Sequence, residues 1–238
     1  MKKFSKLALS TVVVIMPFTT MAQDAAHTFS GNVTLTSDYV LRGQSRTENN
    51  PAIQGGFDYN HESGLYLGTW ASNVSFADGL EIEGYGGFAG ELANGLGWDV
   101  KGIYNAYPST DSSEDYMEFG PSLNYTFGGD FEPTVTVGVL YSEDYQFNSG
   151  EAYWVYSDLD VTLPNEFGLG FHVGNQSVKN ELVWGTPDWL EYNVSLSKTL
   201  GPLDFSVQYI DTDLNATECY GGANICDEQV VFSVSGGF

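Results

Sequence analysis

Apolar and polar residues alternate almost one by one from about residue 29 to the end of the chain. A period of two predicts β-strands, because successive side chains of a strand point to opposite faces. No long stretch follows the helical period of 3.6 residues. The pattern divides into about twelve strands of about 9–14 residues, longer than the mode of about 5–6 in globular proteins and suited to tilted membrane strands.

The connections between these strands alternate in length. Long polar connections are predicted at 42–51, 108–114, 144–151, 177–188 and 211–227, and short ones at 61–64, 93–95, 164–166 and 201–202; only 77–79 and 128–133 break the rule. Outer-membrane barrels sort their loops this way, with long extracellular loops and short periplasmic turns. We therefore predict an all-β fold, a transmembrane antiparallel up-and-down β-barrel, closed because lipid cannot satisfy an open strand edge.

The last segment of the chain is predicted to close this barrel. Val230, Phe232, Val234 and Phe238 share one face, which we expect to contact lipid. The segment should pair antiparallel with the first strand, around residues 29–41. A terminal aromatic strand of this kind resembles the signal read by the outer-membrane assembly machinery.

The N-terminal residues predict export. Lys2, Lys3 and Lys6 precede an apolar run over 7–18, and Thr20-Met21-Ala22 then forms a small-x-Ala cleavage site. This is the pattern of a cleaved secretory signal peptide, with a retained anchor helix as the alternative. We predict a signal peptide at 1–22 and a single barrel domain at 23–238 in the outer membrane, surrounded by lipid and lipopolysaccharide.

The net charge excludes one class of partner, and the two cysteines predict a cross-link. The chain has 31 acidic residues and 8 Lys or Arg, and beyond the leader the only strong cations are Arg42, Arg46, Lys101, Lys179 and Lys198. Nucleic acid is excluded as a partner, because phosphate binding needs clustered cations. Cys219 and Cys226 lie in one loop of an exported protein, which predicts a disulfide.

Aromatic residues make up 15% of the chain, and many stand near predicted strand ends. Tyr and Trp at such positions are typical of the belts at the membrane interface, although a buried core is the alternative. The residues that we assign to the belts are Tyr39, Tyr66, Trp70, Tyr104, Tyr107, Tyr141, Tyr145, Trp184, Trp189 and Tyr209.

Four motifs in the N-terminal third resemble a known family. They are TSDYVLRGQS at 36–45, NPAIQGGFDY at 50–59, GTWASNV at 68–74 and YGGFAG at 85–90. Their order is similar to that in the TorF family of proteobacterial outer-membrane proteins, which are called porins by inference. The resemblance implies an outer-membrane barrel without a defined substrate, and it supplies no functional residues to carry over.

The polar strand faces would form the lumen. The predicted lumen-lining residues are Asp38, Arg42, Asp58, Glu81, Glu83, Asp99, Lys101, Glu118, Asp158, Asp160, Glu191 and Asp204. Asp38 and Arg42 would form an ion pair near the pore mouth, unless they are a structural pair or lie in a solvated loop. Barrels of about 8 strands are filled and those of 16–18 are wide, so twelve strands predict a narrow bore that an inward loop could occlude.

These features predict a channel for passive diffusion of small solutes, preferring cations because carboxylates outnumber cations in its lumen. The alternatives are a non-conducting structural or adhesive barrel and a soluble periplasmic β-protein.

We expect no enzyme, cofactor or metal site: the three His are scattered, no GxSxG occurs, and 211–215 begins like an EF-hand loop but lacks its later ligands. The acidic segment 111–115 could hold divalent cations between lipopolysaccharides, although a solvated loop is the simpler interpretation.

Overall fold

The computed structural model describes residues 26–108 and 114–238, apart from the side chain of Asp78. The predicted signal peptide at 1–22 and most of the acidic segment 111–115 lie outside the described residues. The strands are β1 (His27–Thr36), β2 (Val40–Leu41), β3 (Gln44–Ser45), β4 (Ala52–His61), β5 (Leu65–Asn73), β6 (Leu80–Glu91), β7 (Leu96–Ala106), β8 (Tyr116–Thr126), β9 (Thr134–Ser142), β10 (Ala152–Leu163), β11 (Phe167–Val178), β12 (Trp189–Leu200), β13 (Leu203–Thr212) and β14 (Gln229–Gly237). One short α-helix, α1 (Glu181–Trp184), and three 3-10 turns at Ala77–Gly79, Gln146–Asn148 and Pro164–Glu166 lie in the connections.

Strands β1 and β4–β14 form a closed antiparallel barrel, and β2 and β3 form a separate two-stranded hairpin. The predicted fold is therefore confirmed. Long connections gather at one end of the barrel and short turns at the other. Among residues 26–108 and 114–238, none of the helices has the length and hydropathy of a membrane span.

The barrel closes where β14 pairs with β1, from Asn32 opposite Gly237 to Thr36 opposite Ser233. Beyond this ladder, Gly31 and Phe238 exchange two backbone N–H···O bonds of 2.9 Å. Strand β1 ends at Thr36, so the expectation that it continues to Leu41 is wrong. The chain turns away from the barrel wall at that point.

Large apolar side chains cover the outside of the barrel. Phe29, Phe57 and Phe232 are 68%, 63% and 60% exposed in the isolated chain. A monomer in water rarely shows a continuous apolar band of this kind, whereas a lipid-facing barrel requires one. The alternation read from the sequence therefore separates the lipid face from the interior.

Gly31 lies in this outer face and is covered by the final residue. A Cβ at Gly31 would stand 2.6 Å from Cζ of Phe238, so only glycine leaves room for the ring. The ring centroid of Phe57 lies 6.0 Å from that of Phe238, and the two rings meet edge to face. Phe238 therefore fills the gap that a glycine leaves in the lipid-facing surface.

A second set of aromatic side chains is buried at the long-loop end. This aromatic cap consists of Tyr39, Tyr107, Tyr116, Tyr145, Trp184 and Trp189. The interfacial-belt assignment is wrong for Tyr39, Tyr66, Tyr107, Tyr145, Trp184 and Trp189, all of which are buried. They lie inside because the loops that carry them fold over the barrel opening or because, as for Tyr66, they occupy the inner face of a strand.

Candidate functional site

The first long connection enters the barrel and forms a plug, defined here as residues 37–51. Within it, β2 and β3 pair as a hairpin, Val40 opposite Ser45 and Leu41 opposite Gln44. The two turn residues, Arg42 and Gly43, have φ of 50° and 79°, as the tight two-residue hairpin turn requires. A Cβ at Gly43 would stand 2.4 Å from Cγ2 of Thr212, so the tip fits against β13 only with glycine.

Arg42 anchors the tip of the plug to the inner wall. Its guanidinium donates to Oε2 of Glu118 at 2.7 Å and to Oε1 of Gln176 at 2.6 Å. It also stands over the ring of Trp154, 4.5 Å from the centroid. Burial alone would lower the pKa of Arg42, but the Glu118 carboxylate raises it above its ordinary value, so the side chain stays charged. The ion pair and the cation–π contact fix the tip across the bore.

Arg46 forms a second anchor nearer the outer end. It donates to the hydroxyl of Tyr107 at 2.6 Å and lies 3.7 Å from Oε2 of Glu81. Glu81 has no solvent exposure and also accepts hydrogen bonds of 2.9 Å from the hydroxyls of Tyr39 and Tyr107. The buried Glu81 carboxylate of β6 therefore holds two plug residues, Tyr39 and Arg46, next to Tyr107 of the connection after β7.

Asp38 stabilises the plug from within. Its Oδ1 accepts hydrogen bonds from Ser45 at 2.7 Å and Thr47 at 2.5 Å. The predicted Asp38–Arg42 ion pair is wrong: β1 ends before Asp38, and the hairpin directs Arg42 to Glu118 instead. Burial raises the pKa of the Asp38 carboxyl, an effect that the Thr47 and Ser45 hydroxyls partly offset.

The other carboxylates predicted to line the lumen stand on the inner faces of the strands, and most of them hold hydrogen bonds. Asp99 accepts from Tyr66 at 2.8 Å, Asp58 from Tyr85 at 2.5 Å and Asp204 from Thr199 at 2.5 Å. Asp160 lies on the same face of β10 as Asp158, two residues away. The interior is therefore polar and acidic but crowded, and the plug fills its outer part.

His172 of β11 bridges two of these carboxylates. Its Nδ1 lies 2.6 Å from Oδ1 of Asp158, and its Nε2 lies 2.9 Å from Oε1 of Glu191. Nε1 of Trp154 donates to the same Glu191 oxygen at 3.0 Å. The sequence interpretation missed this cluster because it treated the three His only as scattered; the polar-face position of His172 was the available signal.

Arg46 was also absent from the predicted site. Two of the few cations beyond the leader fall within one loop of an acidic chain, and that clustering was the signal. Because acidic strand faces surround the bore, a loop that carries two arginines finds its counter-ions inside the barrel.

A cavity of about 60 Å³ lies next to the plug tip. Leu41 and Arg42 bound it on the plug side, and its walls include the strand residues Glu83, Lys101, Asn105 and Trp154. Among the described residues, neither the Lys101 side-chain ammonium nor the Glu83 carboxylate forms a hydrogen bond or an ion pair. No cluster of His, Cys, Asp or Glu in the described part of the chain could hold a metal ion.

Cys219 and Cys226 form the predicted disulfide, in the loop between β13 and β14. That loop contacts the plug at three places. Ile225 O accepts from Ser45 N at 2.7 Å, the Tyr220 hydroxyl donates to Gln44 at 2.8 Å, and Asn224 O accepts from Asn49 at 3.4 Å. The disulfide-closed loop therefore supports the plug hairpin from outside.

The barrel and its polar interior define a protein with the fold of outer-membrane porins. Solved structures with this fold include "KdgM porin in complex with disordered oligogalacturonate" (TM-score 0.60, 9% identity, covering 88% of this chain and 99% of that chain) and the NanC porin (0.55, 8%, 87% and 98%). The COG4313 outer membrane channel from Pseudomonas putida F1 is similar at TM-score 0.51 and 10% identity, covering 94% of this chain and 98% of that chain. At these identities the likeness shows the fold alone.

A family model described as "Bacterial protein of unknown function (Gcw_chp)" matches residues 20–238, and the chain belongs to this family. No curated protein sequence matches the chain.

Proposed function

We propose that this protein is a narrow outer-membrane channel for small solutes, with a preference for cations. The observation that carries the proposal is the acidic interior enclosed by a lipid-exposed apolar wall. The carboxylates of the inner faces outnumber Lys101 and the two plug arginines. An excess of negative charge in a confined aqueous space raises the local concentration of cations and disfavours anions.

The porin fold and the resemblance to the TorF family support the same proposal. It includes removal of residues 1–22, insertion by the outer-membrane assembly machinery, and a final setting among lipid and lipopolysaccharide. The role is passage rather than catalysis. Mass determination of the protein purified from outer membranes would check the cleavage, with a mature chain starting at residue 23 as the expected result.

Ion selectivity in planar bilayers tests the channel directly. In a salt gradient, the purified protein should give a reversal potential of the sign that cation selectivity produces. Asp160→Asn, which removes an inner-face charge without a hydrogen bond among the described residues, should reduce that preference. Glu151→Gln, in an exposed outer loop, is the matched control and should change it little. Clear anion preference would overturn the proposal.

A non-conducting barrel is the second candidate, and the plug together with the aromatic cap favours it. Both close the long-loop end in the described conformation. Absence of conductance in the wild type and also in variants with a detached plug would select this candidate. A soluble protein is disfavoured by the apolar band, and heat-modifiable migration on gels together with detergent-dependent extraction would exclude it.

A further inference from the structure

The cavity beside the plug tip holds an unusual set of charges. Of the four charged groups in its wall, Arg42 and Glu118 are paired with each other at 2.7 Å. Lys101 and Glu83 remain, and neither has an oppositely charged group within ion-pair distance among the described residues. The cavity therefore presents an amine and a carboxyl group that form no direct ion pair and remain available to a bound solute.

Unused hydrogen-bond donors lie in the same wall. Asn105 is 2% exposed, and its Nδ2 has no acceptor among the described residues. Nε of Arg42, also buried, has none either. A buried donor without an acceptor is destabilising, so an oxygen-bearing ligand in the cavity would satisfy groups that the protein leaves unpaired. These donors suit oxygen atoms of a ligand, Lys101 suits a carboxylate, and Glu83 suits an ammonium group.

The size of the cavity limits the ligand. A cavity needs about 10–15 Å³ to hold one water, so a cavity of about 60 Å³ is large enough for a solute of a few heavy atoms. Free glycine and alanine fall in this range. An oligosaccharide or a nucleotide does not.

We propose that this cavity is a binding site for a small zwitterion, a free α-amino acid of the size of glycine or alanine. The carboxylate lies toward Lys101, and the ammonium lies toward Glu83, which stands opposite Asn105 on the neighbouring strand. The inference names a solute class for the proposed channel and, as a statement about transport, rests on that proposed function. As a statement about binding, it stands on the cavity alone.

Equilibrium dialysis of radiolabelled glycine against the detergent-purified protein tests the site. Glycine should bind, and unlabelled alanine should compete. Acetate, methylammonium and glycerol, which each carry only part of the chemistry, should compete at least about tenfold more weakly. Absence of glycine binding would overturn the proposal, as would equal competition by acetate, by methylammonium or by glycerol.

Variants locate the site. Lys101→Met and Glu83→Gln should each weaken glycine binding at least about tenfold. Lys179→Met and Glu151→Gln, which break an exposed pair of 3.2 Å in the outer loops, are matched controls and should leave it unchanged. Unchanged binding in correctly folded Lys101→Met and Glu83→Gln would overturn the assignment. If either variant fails to fold, the competition profile of the wild type still decides the question.

Conductance separates this inference from the proposed function. Glycine binding without conductance would support the binding site and overturn the channel function. Conductance without glycine binding would support the channel function and overturn the binding site.

Discussion

Arg42 joins the plug to the barrel through more kinds of contact than any single ion pair provides. It combines a carboxylate, an amide oxygen and an aromatic face, and its own carbonyl accepts from Trp189 Nε1 at 2.9 Å. Breaking a buried pair by removing one partner costs about 3–5 kcal/mol, because the other charge stays buried. The closed state of the bore therefore depends strongly on this side chain.

Arg42→Met should detach the plug tip and raise single-channel conductance. The Glu118 carboxylate would lose its partner, and the hairpin would lose its main contact with β8 and β11. Planar-bilayer recordings measure the effect. Arg42→Met combined with Glu118→Gln should recover part of the lost stability, because no unpaired charge remains. Conductance that stays at the wild-type level in the single variant would show that the plug does not limit passage.

Asp38 should make plug docking depend on pH. Burial raises the pKa of Asp38 in the docked plug, so the docked plug binds this proton more tightly than the released plug does. Protonated Asp38 therefore favours docking fully below the ordinary Asp pKa, and this contribution is lost as the pH rises through the raised pKa. The window begins just above the ordinary Asp value of about 3.9.

Asp38→Asn isolates this contribution. Oδ1 keeps its two hydroxyl donors, and the replaced Oδ2 is buried without a partner among the described residues. We expect the variant to keep the plug docked at neutral pH and to lose the part of the pH dependence of conductance that Asp38 supplies. Recordings of both proteins from about pH 4 to 7 measure the difference. Identical profiles would contradict the expectation.

At this scale, the inward positions of Glu81, Glu118 and Glu191 follow from the period of two, since each alternates with an apolar neighbour on the lipid face. Their partners do not follow. Arg42 reaches Glu118 and Gln176 across 76 and 134 residues of sequence. Only the folded barrel brings these groups together, which explains why the Asp38–Arg42 pairing was wrong.

Among the elements, the plug and the disulfide-closed loop act as one unit. The loop over 213–228 lies between β13 and β14 and contacts the plug through backbone and side chains, and Thr212 Oγ1 donates to Cys226 O at 3.0 Å. The disulfide closes this loop and limits the conformations in which it could release the plug.

Cys219→Ser combined with Cys226→Ser should loosen the plug without opening the barrel. The twelve barrel strands form no bond with either sulfur, so heat-modifiable migration should persist. Current fluctuations and mean conductance should rise, because the loop supports the hairpin less firmly. Wild-type protein under reducing conditions should behave like the double variant. Loss of the folded gel band would instead assign the disulfide to barrel stability.

Strand identity and loop parity were predictable from the sequence, because lipid and interior impose opposite demands on neighbouring positions. The plug was predictable only as a polar connection. Its residues follow no strand period beyond two short β-segments, and its aromatic neighbours were assigned to the membrane interface. A buried tyrosine and an interfacial tyrosine look alike in a sequence, since each presents an apolar ring and a polar tip.

For the whole molecule, closure depends on the pairing of β1 with β14 and on the Gly31–Phe238 contact. Phe238→Ala should uncover Gly31 on the lipid face and lower barrel stability by about 1–2 kcal/mol, part of the value of a fully buried Phe. Gly31→Val should also destabilise the barrel, because its side chain would collide with the ring.

The two changes together test the contact. Gly31→Val in the Phe238→Ala background should cost less than it does alone, since the collision is gone. Urea unfolding in detergent, followed by gel migration, measures all three variants. Phe127→Ala, at an exposed aromatic next to the 128–133 connection, is the control for losing an outer ring. Simple additivity would show that Phe238 and Gly31 do not act as a pair.

The position of the plug in the chain bears on the order of folding. The plug follows β1 directly, yet Arg42 meets Trp189 across 147 residues and Gln44 meets Tyr220 across 176. Contacts of such separation form late, because a long loop must close before they yield any energy. The hairpin therefore cannot reach its final seat until most of the wall exists. Refolding should show a slow last phase in which the bore fills after the barrel has closed.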